Sequence, residues 1–137
     1  MEKINTEKFK ELAQKYDLNL LILFGSQVSG KTHPMSDFDF GFIGEKELNY
    51  ENRSRLMRDL SILVKFSDVE AVDLKKASPF LLREIARNNS VVFEKNGAYA
   101  DFFSNAVRKY FDAKPIFELQ EVLYSNIINN YRKKYAK

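Results

Sequence analysis

The sequence predicts an α/β (α+β) domain in which a small mixed β-sheet is flanked by helices. Three observations carry this reading. Short apolar runs of strand length alternate with stretches whose apolar residues recur at helical spacing. One run, 37–43, alternates acids with aromatics on a strict period of two before Gly41 interrupts the acids. The chain has 137 residues, 45% of them hydrophobic, enough to bury a core although no cysteine is present to staple one.

Residues 6–16 read as a helix, because Phe9, Leu12, Ala13 and Tyr16 fall at i, i+3, i+4 and i+7. LNLLILF, 18–24, is an apolar strand that Gly25 ends. Ser26 can cap a short helix near 27–31, and Pro34 punctuates the loop that follows. In DFDFGFI, 37–43, Asp37, Asp39, Gly41 and Ile43 share one strand face, and Phe38, Phe40 and Phe42 share the other. Leu56, Leu60 and Leu63 mark a helix over 50–64, and DVEAVDL, 68–74, is a third strand. Ser78-Pro79 opens another helix, with serine at the N-cap and proline at the first helical position. VVFE, 91–94, is a fourth strand closed by Asn96-Gly97. Two helices end the chain, about 98–111 and 115–134, with Pro115 opening the second. Residues 1–97 read as the core, and 98–137 as a C-terminal helical extension of the same domain.

Bulk composition excludes several functions. The absence of cysteine removes disulfide frameworks, cysteine zinc sites and thiol catalysis, and the lone His33 removes histidine pairs and triads. No apolar run is long enough to span a membrane, and the N-terminal MEKINTEKFKEL lacks a signal-peptide core. A cytoplasmic, soluble protein is expected. The net charge of +3 is concentrated in the terminal RKKYAK, where cations suit a helix C-terminus. No direct nucleic-acid contact is expected.

The segment that carries chemistry is LFGSQVSGKTHPMSDFDFGFI. Gly25 permits a tight turn and close backbone approach to a phosphate. Ser26 offers a hydroxyl and an N–H at a helix start, both suited to an anion. Asp37 and Asp39 point the same way, and two such carboxylates repel unless a cation sits between them. Hard oxygen ligands favour magnesium, which also takes phosphate oxygens. A phosphate cradle facing a carboxylate pair is the equipment of nucleotidyl transfer. Each half is common by itself, since Gly-Ser follows many strands and Asp-x-Asp decorates many solvated faces. Their combination at this spacing is far more specific. A third acid would bind metal or accept the attacker's proton. Glu70 is preferred for it and Asp73 is the alternative, because alternation puts the two on opposite faces of the third strand. Lys31 and His33 read as surface loop residues, and Arg53, Arg55 and Arg58 as an exposed helix face.

At Gly25-Ser26, Asp37-x-Asp39 and Glu70 or Asp73 the chain resembles the minimal nucleotidyltransferases of the polymerase-β superfamily. Positions 18–94 cover that family's catalytic core. The stretches VDLKKASPFLLREIARNNSVVFE and YADFFSNAVRKYFDAKPIFELQ further resemble MntA-type antitoxins of HEPN–MNT toxin–antitoxin pairs. The resemblance implies a nucleotidyltransferase fold with two C-terminal helices, magnesium as cofactor and ATP as co-substrate. It also implies transfer of AMP to a tyrosine of a cognate HEPN ribonuclease toxin, with which the chain would form a hetero-oligomer. In this reading Asp37, Asp39 and Glu70 are the catalytic and metal-binding acids, and Gly25 and Ser26 bind the nucleotide. Gln27, Phe40 and Glu70 depart from the family's commoner arginine, aliphatic residue and aspartate. Two alternatives use the same residues: a small-molecule nucleotidyltransferase of aminoglycoside type, and a non-catalytic antitoxin that neutralises by contact alone.

Overall fold

The structure is a computed structural model that describes residues 6–25, 38–66 and 68–135. Its elements are α1 (Thr6–Lys15), β1 (Leu18–Phe24), β2 (Phe38–Gly44), α2 (Tyr50–Val64), β3 (Val69–Asp73), α3 (Pro79–Arg87), β4 (Asn89–Glu94) and α4 (Ala98–Tyr135). The strands form one four-stranded sheet in the order β3-β2-β1-β4. β1 runs antiparallel to both neighbours, whereas β2 and β3 are parallel, so the sheet is mixed. The crossover from β2 to β3 is α2, the connection that parallel neighbours require.

Alternation along the strands splits the interior into two layers. Phe40, Phe42, Leu21 and Leu23 face α1 and α2, packing with Phe9, Leu12, Leu56 and Leu60. Leu20 and Ile22 face the other way, onto Leu74, Leu82, Ile85, Phe102 and Ala106. The sheet is therefore a middle layer, and Asp39, paired with Phe24, lies on the α3–α4 side.

Local chemistry sets the helix starts. The Ser78 hydroxyl accepts from the Leu81 N–H at 3.2 Å with Pro79 behind it, as its sequence predicts. Asn49 does the same for α2, accepting from the Asn52 N–H at 2.8 Å. One expectation is corrected. The two C-terminal helices run on as a single helix of 38 residues with Pro115 inside it. Proline removes only one backbone donor, and the flanking turns are exposed, so water can take the orphaned carbonyl instead of the helix breaking there. No helix of the described residues is long and apolar enough to cross a membrane.

A small polar knot ties α1 to α2. The Tyr16 hydroxyl donates to Asp59 at 2.6 Å, and the Lys15 ammonium donates to the same oxygen at 2.9 Å. Burial, then the Asp59 hydrogen bond, pushes the Tyr16 phenol up to about 12. Burial alone would raise the Asp59 carboxyl, but its two donors outweigh that and hold it below its ordinary 3.8. A depressed carboxyl contributes stability that is present above its unfolded pKa and disappears as pH falls through the folded one. Tyr16→Phe is expected to cost about 1.5–3 kcal/mol at neutral pH, the range for a hydrogen bond to a charged group. Urea unfolding at pH 7 and pH 3 checks this: the wild-type advantage should shrink at the lower pH.

Candidate active site

The site forms where β1 ends beside β2. Gly25 follows the last residue of β1 with φ of +82°, a left-handed turn that glycine adopts without strain. A Cβ built there would lie 2.5 Å from Oδ2 of Asp39, so the missing side chain is what leaves room for that carboxylate. The sequence signal for Gly25 was a tight turn near a phosphate, and the turn is present. That the space beside it is occupied by the Asp39 carboxylate is a contact between strands that sequence could not give.

Pairing across the sheet builds the rest. Asp39 stands opposite Phe24 on β1 and opposite Glu70 on β3. Register partners share a sheet face, so Asp39 and Glu70 project side by side from adjacent strands. Asp73 pairs with Phe42, on the face of the phenylalanines. Its Oδ1 accepts from the Lys75 N–H at 3.0 Å, which closes the turn after β3. The structure thus brings Glu70 to Asp39 and turns Asp73 away. Asp37 and Ser26 lie outside the described residues, as do Gln27, Lys31, His33 and the short helix expected near 27–31.

Arg53 of α2 belongs to this neighbourhood, although its place on the helix reads as part of an exposed face. Its Nη2 donates to Glu70 Oε1 at 3.1 Å, and its Nε donates to the Ala71 carbonyl at 3.0 Å. β3 is an edge strand, and Arg53 satisfies one of its outward carbonyls while orienting the acid one residue before. Arg53 and Glu70 are 40% and 55% exposed, so the ion pair adds little stability and acts mainly on where the carboxylate points. No sequence pattern marks Arg53, because its partners lie 17 and 18 positions away on another element.

The donors fit a hard divalent cation. Asp39 and Glu70 supply carboxylate oxygens from neighbouring strands, where like charges gain from a cation between them. Among the described residues no group of three His, Cys, Asp or Glu side chains could hold a metal ion. Magnesium commonly completes such a pair with water and phosphate oxygens, and Asp37, two positions before Asp39 in the sequence, lies outside the described residues.

Solved structures share this architecture. A chain of a toxin–antitoxin crystal structure with AMP-PNP superposes with a TM-score of 0.73 at 22% identity, covering 90% of this chain and 98% of that one. A chain from the tri-AMPylated Shewanella oneidensis HEPN toxin in complex with MNT antitoxin gives 0.69 at 20% identity, over 93% and 99%. A chain of the toxin–antitoxin MntA–HepT gives 0.67 at 20% identity, over 90% and 97%. The fold is that of the polymerase-β-like nucleotidyltransferases. Residues 7–98 match the family model described as Polymerase beta, Nucleotidyltransferase, and the chain belongs to that family. It is a nucleotidyltransferase. No curated protein matches it in sequence.

Proposed function

We propose that this protein is an antitoxin that transfers AMP from ATP to a tyrosine of a cognate HEPN ribonuclease toxin, with magnesium at Asp37, Asp39 and Glu70. The observation that carries the reading is the side-by-side register of Asp39 and Glu70 next to the Gly25 turn. Support also comes from the solved chains of like fold, which belong to toxin–antitoxin structures, one with AMP-PNP and one with an AMPylated toxin.

The residues divide the work as follows. Gly25 and Ser26 hold the triphosphate at the end of β1. Asp39, fixed on a central strand, would hold magnesium with Asp37 and Glu70, which would let these acids approach the triphosphate. Magnesium, when bound, polarises the phosphoryl group and offsets the charge that develops on it. The tyrosine oxygen forms a bond to the α-phosphorus as the bond from that phosphorus to the β-phosphate oxygen breaks, and pyrophosphate leaves. The phenolic proton passes to Glu70 or to water.

The test mixes the protein with a purified candidate HEPN toxin, ATP and magnesium, and weighs the products intact. A gain of one or more AMP units on the toxin is expected. No gain, with folded protein and an intact complex, would favour neutralisation by contact alone. Glu70→Gln, which keeps the shape and removes the charge, is expected to slow transfer about tenfold to a hundredfold and raise the magnesium requirement. Asp73→Asn keeps the turn acceptor and should slow transfer far less. The reverse order of the two variants would hand the role of third acid to Asp73.

A further inference from the structure

The second half of α4 leaves the domain uncovered. Up to Phe117 the helix packs on α3: Phe80 meets Phe117 edge-on at 6.4 Å, and the Arg83 guanidinium lies 4.8 Å over the Tyr110 ring. From Glu118 to Tyr135 every residue but Ile128 is exposed, over about 27 Å of helix. A solvated projection would be polar all round. Instead Ile116, Leu119, Leu123, Ile127, Tyr131 and Tyr135 are each more than half exposed. Their spacing of three and then four residues puts them on one face, about 160° of the circumference.

We propose that this face is the docking helix for the toxin, received in an apolar groove of the partner whose far end carries carboxylates. The proposal rests on the function above in taking the toxin as the occupant. Three features define the groove. The exposed apolar side chains together offer on the order of 700 Å² of surface, close to what one partner gives to a stable interface. The apolar arc is much wider than the narrow seam along which two helices pair, so one antiparallel copy of the same helix would leave much of it wet. A groove that wraps the helix covers it. The charge is directional: the last turn carries Arg132, Lys133 and Lys134. Lys134 falls in the middle of the apolar arc, its ammonium 5.4 Å over the Tyr135 ring. An acidic end to the groove complements it.

The experiment measures binding of the full chain to the purified toxin by calorimetry, apart from AMP transfer. The double variant Leu123→Asp, Ile127→Asp changes only exposed positions of the free protein and is expected to fold with unchanged ellipticity and melting. It should weaken binding at least a hundredfold. Lys134→Glu should weaken it about tenfold at low salt and less at high salt. Glu121→Gln, on the polar side, serves as the neutral comparison. Wild-type affinity in the double variant would overturn the proposal, as would failure of the wild-type chain to bind the toxin. So would a dimer of the chain alone, in sedimentation, that the double variant dissociates, because the face would then belong to a second copy. Binding lost in the variant while wild-type protein binds but transfers no AMP would uphold the docking helix and sink the proposed catalysis instead.

Discussion

Asp39→Ala is expected to slow AMP transfer at least a thousandfold, about 4 kcal/mol of transition-state stabilisation, while the protein keeps its fold and its partner. The residue sits on β2, paired on both sides, so its backbone hydrogen bonds do not depend on its side chain. Its carboxylate lies between the Gly25 turn and Glu70. Asp73 cannot replace it there, because it faces the other layer. Removal of the Asp39 carboxylate leaves the strand pairing on both sides of β2 unchanged, so the variant should still fold. Transfer is read by intact mass, complex formation by calorimetry and the fold by thermal melting. A folded Asp39→Ala protein that modifies the toxin at the wild-type rate would exclude the carboxylate from the chemistry. A folded variant that still neutralises the toxin without modifying it would show that contact suffices.

Much of this arrangement is legible in the sequence because it depends on local periodicity. Alternation along 37–43 separates Asp39 from Phe38, Phe40 and Phe42. The two core layers reproduce that separation: Phe40 and Phe42 pack on one side, and Gly41 meets Leu74 on the other. The opposite facing of Glu70 and Asp73 also follows from period two alone. What alternation cannot supply is register, the sliding of one strand past its neighbour, which pairs Asp39 with Glu70. Arg53 needs still more, since its reach depends on how α2 lies across the edge of the sheet. The long C-terminal helix was obscured by one residue. Pro115 usually marks a boundary, but in an exposed turn its cost is small enough for the flanking helix to carry it through.

Gly25→Ala is expected to lower the transfer rate by about a hundredfold, the scale of a catalytic group displaced by an ångström, at a small cost in stability. Two effects act together and can be separated. The first is backbone strain, about 1 kcal/mol for an alanine at a φ of +82°. The second is the Cβ, 2.5 Å from Asp39 Oδ2, which is closer than real contacts allow. The carboxylate is the flexible end of a side chain and can swing away, so the clash adds little to the stability loss. It must leave its place to do so, and the proposed reaction requires it there. Gly97 provides the comparison. It has a similar φ of +73° but open space where its Cβ would be. Gly97→Ala should therefore lose a similar amount of stability in urea and retain its transfer rate. Equal rates in the two variants would mean that Asp39 keeps its position by some other contact, and that Gly25 serves only the turn.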